Sequence, residues 1–220
     1  VTVDNLQGFV KITADMSTAF NMTAEDAGNA VANLSNIFGI AINDTEKLGD
    51  AINHLSNNSA SSADKIVDVL VRMGSSGKNI GLLEAEVAAL GSSLIAFGKS
   101  PEIAGTSLNA FFLKLNTLKN LGANAQESLS KMGVSAVEMS QRIEDDASNA
   151  IIYFLEQVDK LDRADKSVAL SNIFGVEQQA NVLLMASNVE KLKDQLDLIS
   201  EESKYLGSMQ DEATARAATT

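Results

Sequence analysis

The sequence has no cysteine and no tryptophan, and only one proline and two tyrosines in 220 residues. Without cysteine there is neither a disulfide framework nor a thiolate metal site, an absence that fits a cytosolic origin. Proline is the strongest helix breaker, so a single one leaves long stretches free to be helical. The shortage of aromatics counts against a β-rich domain, which wants more Tyr, Trp, Val and Thr. Positive charge is scarce as well. Seventeen Lys and Arg stand against 29 Asp and Glu, a net charge of −12. Nucleic-acid binding draws most of its affinity from cationic contacts to phosphate, so no specific nucleic-acid binding is expected. Anionic membrane surfaces are disfavoured on the same ground. No apolar run approaches the roughly 18 residues of a membrane span, Ala150 to Leu155 being among the longest. No signal-peptide pattern opens the chain at Val1.

What is present is helical. Hydrophobic residues make up 45% and charged residues 21%, which is globular and not disordered composition. Apolar residues recur at spacings of three and four. Leu6, Phe9, Val10, Met16 and Phe20 mark a first helix, and Thr23 caps a second that ends at Gly39. Asp44 is placed to cap a third, and Ser62 or Ala63 to open a fourth that stops at Gly74. The span 74–82 is the most loop-like and is the candidate internal hinge. Beyond it, Leu83 to Phe97 and Pro101 to Leu118 read as amphipathic helices joined at Gly98-Lys99-Ser100, with Pro101 in a first turn, where it is tolerated. A short helix ends at Gly133, and Ser135 to Glu138 has a capping-box pattern. Asp145 or Asp146 opens the next helix, and Asp165 the one that closes on Ile173-Phe174-Gly175. One or two helices continue to Leu206. Short linkers favour an all-α, compact, multi-helix antiparallel bundle over residues 1–220, with room for some elongation. Both ends read as cut, since Val1 is no initiator and the tail from Ala213 has no helix stop, so a fragment of a longer protein is expected.

Catalytic patterns fail on inspection. Gly74-Ser-Ser-Gly-Lys-Asn79 resembles a phosphate cradle, but Arg72 stands where the first Gly belongs and Asn79 where Ser or Thr is required, after a helix and not a strand. His54 is the sole histidine and has no nucleophile motif around it. The acidic runs Glu144-Asp145-Asp146 and Glu201-Glu202 lack the alternating ligands and Gly of a calcium loop. No pattern calls for a cofactor, a metal or a catalytic residue. Gly49, Gly91 and Gly105 interrupt helical patterns, which points to close helix crossings. Leu-Ser-Asn-Ile-Phe-Gly occurs twice, at 34–39 and 170–175, and predicts two helix ends built alike. Phe111, Phe112, Phe154 and Phe174 are the expected core anchors.

Several segments in order carry a resemblance. They are Ala89 to Gly98, then Glu102-Ile103-Ala104-Gly105-Thr106-Ser107-Leu108 with Leu113-Lys114-Leu115; upstream, Leu48 to Asn53; downstream, Leu129 to Val134 with Gly133, and Asn172-Ile173-Phe174-Gly175. Together they resemble the core region of phage tail tape-measure proteins, over roughly residues 20 to 210. Two departures are Gly49 inside its helix and a shorter, Gly-richer stretch from Ser75 to Ile80. The resemblance implies a non-enzymatic virion protein, from a phage or a prophage, that templates tail assembly by spanning the growing tube and leaves ahead of the DNA. It implies tail tube and tail-assembly proteins and other copies of itself as partners. The implied location is the tail lumen, and the host bacterial cytoplasm during assembly. A helical interaction module of a bacterial protein is the alternative, and an acidic helical enzyme with an unfamiliar site is the third.

Overall fold

The computed structural model describes residues 3–219. Among them it has fourteen α-helices, three single 3₁₀ turns and no strand. The helices are α1 (Val3–Phe20), α2 (Ala24–Phe38), α3 (Thr45–Asn57), α4 (Ala63–Met73), α5 (Ser76–Asn79), α6 (Glu84–Ala96), α7 (Pro101–Asn116), α8 (Ala123–Lys131), α9 (Ala136–Asp145), α10 (Ala147–Lys160), α11 (Arg163–Phe174), α12 (Val176–Ala186), α13 (Val189–Leu198) and α14 (Ser208–Ala217). The chain folds as the all-α bundle that the spacing of its apolar residues predicts. Successive pairs touch, as α1 does α2, α6 does α7 and α11 does α12. Distant pairs close the bundle: α4 lies along α7, α6 along α3 and α13, and α14 returns to α1 and α3.

Side-chain caps close several helix starts. The Thr23 hydroxyl accepts from the Asp26 N–H at 3.1 Å, and the Asp146 carboxylate accepts from the Asn149 N–H at 2.9 Å. Each satisfies one of the donors a helix start leaves free. Two expected caps move. Asp44 closes a 3₁₀ turn and its side chain caps nothing, because the buried Thr45 begins the helix and turns its hydroxyl back to the Ile42 carbonyl. Asp162, not Asp165, caps α11, since the free Asp165 N–H lies at the third helical position and bonds Asp162 at 2.9 Å.

The two Leu-Ser-Asn-Ile-Phe-Gly ends also differ. Gly39 is left-handed, with φ 62° and ψ 34°, and the Ile40 N–H returns to the Ser35 carbonyl. Gly175 has φ 85° but ψ 161°, so the chain extends for one residue and enters α12 at once. Identical hexapeptides therefore end in different turns. The loop-like span after Gly74 contains a helical turn, α5, with Ser76 and Gly77 buried.

The largest departure concerns α6, expected to be amphipathic. Every residue from Val87 to Ile95 is buried. A helix enclosed on all sides must be apolar or internally satisfied around its whole circumference. Here Ser93 donates to its own helix at the Ala89 carbonyl, while the Ser92 hydroxyl meets Ser61 at 2.7 Å and Gln195 at 3.0 Å. In α1, conversely, Leu6 and Val10 face solvent, and Ile12, Met16, Ala19 and Phe20 turn inward.

Candidate functional site

Gly105 marks the closest approach between α4 and α7. A Cβ placed on it would lie 2.9 Å from the Arg72 Cβ and 3.3 Å from the Val69 carbonyl oxygen. Neither is the movable tip of a side chain, so the two backbones meet at a distance only glycine permits. Ala104 beside it is buried, and Thr106 is exposed. The segment thus presents Gly105 to α4, buries Ala104 and turns one hydroxyl to solvent. Upstream, the Gly98 turn ends α6 and Ser100 caps α7 by accepting from Ile103 at 3.4 Å.

The downstream motif residues join a different face of α7. Phe174 stacks on Phe111 with centroids 5.4 Å apart, and Phe154 meets both edge-on at 5.8 and 6.1 Å. Phe112 tilts against Phe111 at 5.9 Å, so adjacent rings on one helix are both enclosed. Ile173 is buried beside them, and Asn172 donates to the Ser128 hydroxyl at 3.0 Å, tying α11 to α8. Gly133 closes α8, with the Val134 N–H returning to Leu129 at 2.9 Å. Residues from α7, α8 and α11 are brought together, while Gly98 and Gly133 remain at separate helix ends. The contacts are apolar or neutral, and they hold helices in register.

A second junction went unread in the sequence. Asp50 and Asn53, one turn apart on α3, are buried and bind the start of α14. The Asp50 carboxylate accepts from the Gly207 and Met209 N–H groups at 2.9 and 3.0 Å, and Asn53 donates to the Ser208 carbonyl and hydroxyl. An anion at a helix N-terminus is favoured by the free donors there. Burial outweighs these bonds and raises the Asp50 pKa above the ordinary carboxylate value. The one available signal was an acid among Leu48, Ala51, Ile52 and Leu55, on the face that spacing assigns to the core.

The residues that suggested chemistry are dispersed. Lys78 donates to the Phe38 carbonyl, so the lysine of the Gly-rich segment satisfies the end of α2. His54 lies half-buried in the last turn of α3. Among the described residues no three His, Asp or Glu side chains gather closely enough for a metal ion, and no helix is long and apolar enough to cross a membrane. A cleft of about 600 Å³ opens between α6, α10 and α13. Lys193 on its wall bonds Glu156 and Glu190, both at 2.7 Å, which raises the lysine pKa above its usual value.

Residues 1–175 match the family described as phage-related minor tail protein. Over 216 residues, 98% of this chain, the sequence is 27% identical to a probable tape measure protein of Halomonas phage phiHAP-1. The chain spans 25% of that relative's length. No solved structure matches it.

Proposed function

We propose, from the premise that this chain belongs to the phage-related minor tail protein family, that it is a folded helical segment of a tail tape-measure protein. In this reading the whole protein occupies the tail lumen, sets tail length during assembly in the host cytoplasm, and leaves ahead of the DNA at infection. The segment acts by structure and binding, not by catalysis. Its partners are tail tube and tail-assembly proteins and further copies of itself.

The observation that carries the reading is the match to the family over residues 1–175. The fold adds a physical consequence. Its accessible surface is 10292 Å², against about 9,700 Å² for a compact protein of this mass. Folded, the segment adds about 45 Å to a ruler. Drawn out as one helix it would add about 330 Å.

In-frame excision of the segment from its phage or prophage gene, with electron microscopy of the resulting tails, tests the role. Shortening by about 45 Å supports a folded module, and by about 330 Å an extended one. Tails of unchanged length, or purified tails without the protein, reject the tail-length role.

A further inference from the structure

We infer that the cleft between α6, α10 and α13 is a docking groove for a basic peptide segment of a partner protein, one that lays Arg or Lys side chains along it. The wall carries Glu84, Glu86, Asp197 and Glu202. The one lining cation among the described residues, Lys193, is already engaged by Glu156 and Glu190. Glu202 meets only an exposed Lys47, at 3.5 Å. Leu83, Ile152, Leu196 and Ile199 supply apolar surface between these acids. Arg and Lys bury aliphatic stems while holding the charged head in a polar setting, and guanidinium pairs well with carboxylate.

Tyr205 is the second, independent observation. The residue is 6% exposed, its hydroxyl makes no hydrogen bond within the described residues, and that hydroxyl is open to solvent, unlike the buried Thr13 hydroxyl. It lines both this cleft and an adjoining one of about 340 Å³ that shares Glu84 and Glu202 and adds Asp44 and Lys47. The ring is enclosed while the phenolic oxygen opens into the clefts, an apolar body with a polar tip. Here the hydroxyl is left to whatever enters the clefts. Burial first, and then the charges of Glu202, Asp50 and Glu84, push its pKa up, so it stays a neutral donor and acceptor. The carboxylates are spaced along the groove and nowhere cluster as a metal site would require. That spacing suits an extended chain with separated charges and not a single ion. The chemistry does not depend on the tail-length role.

The test uses the 220-residue chain. Because it has two tyrosines and no tryptophan, Tyr153→Phe leaves Tyr205 as the lone fluorophore, inside the groove. Titration with the peptide acetyl-Arg-Leu-Arg-amide at low salt should change its emission saturably. Glu84→Gln with Glu202→Gln should weaken binding about ten-fold, whereas Glu127→Gln with Glu177→Gln, equal in charge but elsewhere, should weaken it less than about two-fold. If the groove pair does not fold, Tyr205→Phe, monitored through backbone amide NMR shifts at Glu84 and Ser148, carries the same comparison and should weaken binding several-fold. Absence of saturation up to about 10 mM, or equal loss from the groove and control pairs, overturns the assignment.

Discussion

The Asp50 carboxylate receives the backbone N–H of Met209, 159 residues further along the chain, at 3.0 Å. The same helix turn sets Gly49 against Met209, whose sulfur would lie 2.6 Å from an added Cβ. One carboxylate and one missing side chain thus seat the last helix on α3. Asp50→Ala leaves two donors without their acceptor and should destabilise the chain by about 2–4 kcal/mol at neutral pH.

The pH dependence of that loss has a definite sign. The folded Asp50 binds its proton more tightly than the unfolded chain does, because burial raises its pKa. A raised folded value contributes stability that is fully present below the unfolded pKa, near ~4, and is lost as pH rises through the folded one. The gap between the parent chain and Asp50→Ala should therefore be wider in acid than at neutral pH. Urea midpoints for both chains across this range check it, and a gap that narrows in acid contradicts the burial argument.

Gly105 and Gly28 should respond oppositely to the same substitution. At Gly105 a Cβ lies 2.9 Å from the Arg72 Cβ, so Gly105→Ala must push α4 and α7 apart and should cost about 1–3 kcal/mol, with Gly105→Leu costing more. At Gly28 the nearest atoms, in Phe9 and Thr13, are 3.6 and 3.7 Å away. Gly28→Ala should stabilise α2 by up to about 1 kcal/mol through helix propensity. Thermal and urea unfolding decide both signs, and stabilisation by either Gly105 variant rejects the close crossing.

What could be read from sequence was local. Thr23, Gly39, Pro101 and Asp146 stand at the helix boundaries they predict, because a cap is decided within about four residues. The four phenylalanines were legible as core because large apolar rings have few other places to go. The burial of α6 was not, since Ser92 looks polar until Ser61 and Gln195 arrive from distant segments. The groove was equally hidden. Its acids lie on α6, on α13 and in the turn before Tyr205, and no periodicity relates them.

The ring cluster should behave as a coupled unit. Phe174→Ala removes a buried ring and should cost about 3–5 kcal/mol, and Phe111→Ala a similar amount. Their rings stack at 5.4 Å, so the double variant should lose about 0.5–1.5 kcal/mol less than the sum of the singles. A double-mutant cycle by urea denaturation measures this. Strict additivity would mean that the stacking contributes nothing beyond burial.

Asp145 and Asp146 are adjacent acids, yet only one should matter to stability. Asp146 accepts from the Asn149 N–H at 2.9 Å and from its side-chain amide at 2.7 Å, whereas Asp145 is an exposed last residue of α9. Asp146→Ala should cost about 0.5–2 kcal/mol, and Asp145→Ala no more than about 0.5 kcal/mol. The Asn149 backbone bond leads in lowering the Asp146 pKa. A depressed folded value contributes stability present above the unfolded pKa, near ~4, and lost as pH falls through the folded one. The penalty for Asp146→Ala should thus hold at neutral pH and fade in strong acid, opposite in sense to Asp50. Adding calcium should leave it unchanged, because the carboxylate works as a helix cap and not as a ligand. A penalty that depends on calcium, or one that is equal for the two acids, would return the cluster to a binding role.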